Sequence, residues 1–87
     1  MRKTRPCVIV SPDELNSHLR TFIVAPLKTA GYPYPFRVRC TFDGKDGDVV
    51  ADQLRTVDGE RLVKQLGRLP EATLNELLGV LQAMFAE

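Results

Sequence analysis

Short apolar runs separated by turn residues occupy most of the chain, and one long amphipathic segment closes it. The runs are Cys7 to Val10, Thr21 to Ala25, Phe36 to Thr41, Asp48 to Ala51 and Leu62 to Leu66. They are brief and rich in β-branched residues, which is the signature of strands. Asp43-Gly44 and Asp46-Gly47 supply the positive-φ residues of a tight hairpin, and Asp58-Gly59 supplies a further turn. The acidic stretch from Asp43 to Asp48 raises a calcium loop as an alternative, but Lys45 and Leu54 stand at ligand positions of the EF-hand pattern, so the hairpin prevails.

From Pro70 to Phe85 the period changes. Leu74, Leu77, Leu78, Leu81, Met84 and Phe85 fall at offsets 0, 3, 4, 7, 10 and 11, one continuous stripe on a helix. Pro70 suits the first helical position and Glu71 complements the positive end of the helix dipole. The stripe must cover either the sheet or a partner; the expectation is the sheet, with partner contacts at its margin. The pattern as a whole predicts a mainly β protein with a C-terminal helix, either a small barrel or a strongly bent antiparallel sheet capped by that helix.

Length and charge narrow the picture. With 87 residues there is room for one domain, taken as residues 1–87, and no window is apolar enough to cross a bilayer. A cytoplasmic, unprocessed protein without a membrane partner is expected. The net charge of +1 conceals an asymmetry: all twelve Lys and Arg lie between Arg2 and Arg68 against eight acids, a balance of +4, while the remainder carries −3. A basic body with an acidic end fits a polyanionic substrate met by the body. Cys7 and Cys40 lie in separate predicted strands without CxxC spacing, and with His18 they fall short of a four-ligand zinc site, so the expectation is two buried thiols and no metal.

The order of local patterns is more specific than any of these. Arg5-Pro6-Cys7-Val8-Ile9-Val10-Ser11-Pro12 comes first, then Asn16, then Val24-Ala25-Pro26-Leu27, then Tyr34-Pro35-Phe36. Asp52-Gln53-Leu54-Arg55-Thr56-Val57-Asp58 follows, with Leu66-Gly67-Arg68-Leu69 before the helix. Together they resemble the MazF/PemK family of toxins from bacterial toxin–antitoxin pairs. The resemblance implies an SH3-like small barrel with a C-terminal helix. It also implies a homodimer that cuts single-stranded RNA without metal or cofactor and is held inactive by a cognate antitoxin. Family members open with a strand and loop before the Arg-Pro pair, whereas here Met1 to Thr4 precede it. The expected barrel therefore lacks its usual first strand, through either a late-assigned start or a truncated form.

The resemblance also assigns roles. The family's chemistry, attack by a 2′-hydroxyl on the adjacent phosphate, needs a proton acceptor, a proton donor and cations for the crowded oxyanion. Arg5 matches the principal catalytic arginine, whose permanently charged fork suits phosphate oxygens. The family's next functional position, a threonine or serine two residues after the proline of the second strand, holds Lys28, followed by Thr29. Either Lys28 acts as a phosphate cation, or Thr29 supplies the hydroxyl through a one-residue shift, or activity is altered or lost. Asp52 matches a carboxylate that orients a nucleotide or moves a proton; the structural alternative is an acid satisfied by turn amides or paired with Arg55.

Gln53, Arg55, Arg37 and Arg39 are candidate RNA contacts. Tyr32 and Tyr34, placed at an exposed edge by Pro33 and Pro35, are candidate stacking platforms, with Phe36 expected in the core and His18 on the surface. Two rival readings share the fold: a non-enzymatic toxin resembling the gyrase-binding CcdB proteins, and an inactive form that only binds antitoxin.

Overall fold

The computed structural model describes residues 5–42 and 44–86. Five strands and two helices run in the order β1 (Cys7–Ile9), α1 (Asp13–His18), β2 (Thr21–Thr29), β3 (Arg37–Phe42), β4 (Lys45–Val50), β5 (Arg55–Asp58) and α2 (Glu71–Phe85). They form one antiparallel sheet in the order β1-β2-β4-β3, with β5 also against β2. Mainly β with a C-terminal helix, as the hydrophobic pattern predicts, it is a half-barrel sheet with α2 packed on one face and Val24 and Val50 buried on the other.

β2 is the spine. At nine residues it pairs with β1 through Val24 to Pro26, with β5 through Thr21 to Val24 and with β4 through Leu27 to Thr29. Between β4 and β5 the chain turns through a 3-10 segment, Ala51–Gln53, opposite the middle of β2. Pro26 stands there. In the alternation set by the β1 register its nitrogen faces the interrupted side of the ladder, where no partner strand requires an N–H. β3 and β4 form a hairpin closing at Phe42 and Lys45, with Gly44 at φ 74°. Asp43 lies outside the described residues. Gly47 and Gly59 do not take positive φ; Gly47 is instead needed for close approach, since a Cβ there would meet the Lys28 carbonyl oxygen at 3.1 Å.

Alternation along the strands puts Ala25, Val38, Cys40, Val49 and Ala51 into one cluster with Leu77 of α2. Val8, Val10, Leu27, Leu54, Leu69, Val80, Leu81 and Met84 pack around it. The inward face of α2 is thus Leu77, Val80, Leu81 and Met84, while Leu74, Leu78 and Phe85 remain exposed at the margin of the stripe. Pro70 sits one residue before the helix, its carbonyl accepting from the Leu74 amide at 2.9 Å.

Several expectations need correction. Leu62 to Leu66 is irregular chain that pairs with no strand among the described residues, whereas β5 is a strand despite holding one apolar residue, because β2 offers it a ladder. Phe36 is 41% exposed at φ 65°, a left-handed turn residue rather than part of the core. That conformation costs on the order of 1 kcal/mol, and the Ala51 amide, donating to the Phe36 carbonyl at 3.1 Å, helps hold it. Cys7 is exposed and only Cys40 is buried; both are free. The hydrophobic pattern does not predict the short helix α1. Asn16 ties it down, exchanging hydrogen bonds with the side chain and carbonyl of buried Ser11, whose hydroxyl accepts from the Ile23 amide at 3.1 Å.

Leu77→Ala, which empties the centre of the cluster, is expected to cost about 2–5 kcal/mol in urea melts, whereas Phe85→Ala, at a residue 74% exposed, should stay within about 0.5 kcal/mol of wild type. Thiol labelling checks the faces of β1 and β3: Cys7 should react in the native protein and Cys40 only after unfolding.

Candidate functional site

Residues directly opposite one another on neighbouring strands send their side chains to the same face. Lys28 lies opposite Asp48, and Asp48 lies opposite Arg39. On the other side of β2, Cys7 lies opposite Pro26, and the Leu27 amide donates to the Pro6 carbonyl at 3.2 Å. Continued by one residue, that register sets Arg5 across from Lys28. The sheet therefore carries a transverse row, Lys28, Asp48, Arg39, on the face away from α2, and Arg5, two residues before β1, falls at its β1 end only by continuing that register. Pairing with Val50 adds Arg37 to the same face.

The acid in this row is largely removed from water, with Asp48 4% exposed. One carboxylate oxygen accepts from Arg39 Nε at 2.8 Å and the other from the Gly31 amide at 3.0 Å, while Arg39 Nη2 donates to the Gly31 carbonyl at 3.0 Å. Burial pushes the Asp48 carboxyl up, but the Gly31 amide, the Arg39 hydrogen bond and the charges of Arg39 and Arg37 outweigh it and hold the group below the ordinary carboxylate value. Burial also raises the Cys40 thiol, and the Asp48 charge raises it further. Neither Asp48 nor Gly31 was singled out from the sequence.

Next to this lock lies an aromatic and cationic cluster. The Arg37 guanidinium sits 4.8 Å from the centre of the Tyr34 ring, and Tyr32 meets Tyr34 edge to face with centroids 6.5 Å apart. Tyr32 and Tyr34 are 79% and 55% exposed, as their flanking prolines predict. Asp52, in the 3-10 turn after β4, approaches Arg37 Nε at 3.9 Å, an open and weak pairing. Its ionic partner is thus Arg37 and not Arg55, which is exposed at the start of β5. Gln53 follows Asp52, also exposed.

Thr29 departs from the group. β2 keeps a regular register through Lys28 and Thr29, so no shift brings the hydroxyl into line, and alternation sends Thr29 to the opposite face from Lys28. His18 is exposed at the end of α1, away from the row. A shallow hollow lined by Arg20, Phe22, Asp58, Gly59 and Glu60 lies toward the other end of β2 and shares no residue with the row. Among the described residues, no three His, Cys, Asp or Glu side chains converge as a metal site would require.

The arrangement can therefore bind phosphate oxygens through Arg5 and Lys28, offer a carboxylate at Asp52 and present two rings for stacking. Because the Asp48 carboxyl is held low in the folded chain, its contribution to stability is present above its unfolded value, about pH 4. That contribution is lost as pH falls through the lower folded value. The stability gap between wild type and Asp48→Asn, measured by urea melts, should be constant near neutrality and shrink below about pH 4.

Residues 1–85 match the family model described as "PemK-like, MazF-like toxin of type II toxin-antitoxin system". Endoribonuclease PemK of Escherichia coli is 36% identical over 87 residues, covering 93% of this chain and 65% of that protein, so the chain spans just under two thirds of this relative's length. A MazE-MazF crystal structure from Deinococcus radiodurans superposes with a TM-score of 0.82 at 30% identity, covering 94% of this chain and 81% of that one. The Mycobacterium tuberculosis toxin MazF-mt6 shares the fold at 23% identity, with a TM-score of 0.83 and coverage of 93% and 85%. The sequence patterns, the half-barrel with its terminal helix and the match across residues 1–85 agree: this chain belongs to the PemK/MazF family of type II toxin–antitoxin toxins.

Proposed function

We propose that residues 1–87 form one toxin domain that cuts single-stranded RNA in the cytoplasm, through the sheet face away from α2, at a short sequence motif. A ribose 2′-hydroxyl attacks its own 3′-phosphate. The O2′–P bond forms as the P–O5′ bond breaks, leaving a cyclic phosphate and a free 5′-hydroxyl. Asp52 takes the hydroxyl proton, Arg5 and Lys28 hold the charge that builds on the non-bridging oxygens, and the departing oxygen takes a proton from the Lys28 ammonium. Every group in this scheme is a side chain, so no metal is needed. Tyr32 and Tyr34 stack bases, and Arg37, Arg55 and Gln53 contact the strand beside them.

The observation that supports this reading is the β1–β2 register, Cys7 opposite Pro26 with the Leu27 amide on the Pro6 carbonyl, which when continued brings Arg5 toward Lys28. The PemK relative, named an endoribonuclease, supports the reaction class. The partners proposed are a second copy of the chain, forming a homodimer, and a cognate antitoxin, on the likeness to a MazF crystallised with MazE. A second reading, a toxin that binds its target without cutting, is favoured by one observation: Lys28 stands where the family carries a hydroxyl. An ammonium binds phosphate without needing to cleave it.

Incubation with long single-stranded RNA in EDTA, with cut ends mapped, tests the proposal. Cuts at a recurring short motif are expected. Arg5→Ala should reduce the rate about 100-fold or more without moving the thermal melt. Lys28→Ala should also lower it, while Thr29→Ala, on the other face, should leave it unchanged. Loss of cutting on Thr29→Ala would reassign the hydroxyl role to that residue, and a folded wild type that never cuts would favour target binding.

A further inference from the structure

An exposed, irregular segment does not ordinarily hold two large rings in a fixed relation. Residues 30–36, which join β2 to β3 and contain no helix or strand, carry Tyr32 and Tyr34. Yet the segment is pinned at both ends. At its far end the Phe36 carbonyl accepts from Ala51, and at its near end the Ala30 amide donates to the Asp46 carbonyl at 3.4 Å. Between them, both backbone polar groups of Gly31 are taken up by the Asp48–Arg39 pair, the amide by the carboxylate and the carbonyl by the guanidinium. The result is a closed ring of hydrogen bonds, an extra ladder rung made by side chains. It fixes the backbone one residue before Tyr32.

We propose that Asp48, acting through Arg39 and Gly31, is a positioning residue for nucleotide recognition, setting the Tyr32–Tyr34 pair as a preformed platform for a base of single-stranded RNA. The inference rests on the RNA reading above and deepens it. Two features favour this role over simple stabilisation. An acid on a face that must meet a polyanion opposes binding unless its charge is neutralised within the protein, and here both carboxylate oxygens are engaged with the group nearly shut off from water. Arg39 is itself only half-buried, yet two of its nitrogens are committed to the lock. Its cost is recovered if ordering the rings in advance removes that entropy from the binding step.

The sign of one substitution separates this from bulk electrostatics. Asp48→Asn removes a negative charge from the row, so charge alone predicts tighter RNA binding; the positioning role predicts weaker binding, because an NH2 donor replaces one of the two oxygens that accept from Gly31 and Arg39. The probe is a set of short 2′-O-methyl oligoribonucleotides, which cannot be cut, followed by fluorescence anisotropy. Tyr32 and Tyr34 are the chain's two tyrosines and it has no tryptophan, so near-ultraviolet circular dichroism reports chiefly on this platform, apart from weak phenylalanine bands, in the free protein. Asp48→Asn should lose the tyrosine signal, keep the far-ultraviolet spectrum and bind about tenfold more weakly, roughly one stacked base.

Arg39→Lys, at a half-exposed site, keeps the charge but not the fork and should move both readouts the same way, which preserves the test should Asp48→Asn fail to fold. Neither substitution should weaken binding further in a Tyr32→Ala, Tyr34→Ala background. Unchanged tyrosine signal, or tighter binding by Asp48→Asn, overturns the proposal. Wild type that binds no oligonucleotide overturns it through the RNA reading instead, and the tyrosine signal of Asp48→Asn tells the two failures apart.

Discussion

A strand that hydrogen-bonds to three others has only one way to divide its side chains between two faces, and β2 imposes that division on the whole domain. Its nine residues set the register of β1, β4 and β5. Because pairing is antiparallel throughout, that choice carries through β4 to β3, whose Val38 and Cys40 cluster with Leu77 of α2. A slip of β2 by one residue would exchange Ala25 and Leu27 for Pro26 and Lys28 on the buried side. The apolar cluster around Leu77 and the transverse row of charges are therefore two expressions of one constraint. The core holds the register, and the register assembles the row.

That row combines charges in an uneven way. Arg5 and Lys28 bear no hydrogen bond to another described side chain, while Arg39 is bound to a buried carboxylate. A cation left in water keeps its mobility and its attraction for phosphate; a cation held by a desolvated acid loses much of both and gains a fixed place. Arg37 is intermediate, lying against the Tyr34 ring and only loosely near Asp52. The face thus grades from solvated charge before β1 to fixed geometry at β3; on the proposed reading this divides attracting a strand of phosphates from orienting what it carries.

Much of this was legible in the sequence, for identifiable reasons. The stripe from Leu74 to Phe85 has a period no strand could use, and Gly44 marks a turn that permits no long loop. The hairpin even contains the lock: a turn closing at Phe42 and Lys45 places Arg39 opposite Asp48 by counting alone. What counting could not supply was the arrival of Gly31 from a different connection. Leu62 to Leu66 looked like a strand because local pattern reports a preference for extended chain, whereas a strand also needs an edge to join. β5 shows the converse, with Arg55 to Asp58 nearly without apolar residues and paired because β2 lies alongside. Phe36 was misplaced because its apolar character says nothing of the left-handed turn that Pro35 and the Ala51 hydrogen bond impose.

On the resemblance, Lys28 stands where the family carries a hydroxyl, and the two groups differ in chemistry. A hydroxyl at this point would donate one hydrogen bond to phosphate and carry no charge; an ammonium donates three and neutralises charge in the ground state as well as in the transition state. Interactions equally strong in both states tighten binding without speeding the chemical step. On the proposed reading, the charge of Lys28 favours retention of RNA, while its rate contribution is the proton it gives the departing oxygen, beside the fork of Arg5 on the equatorial oxygens. On the proposed reading, cutting and holding would differ by how the stabilisation beside Arg5 is divided between ground state and transition state.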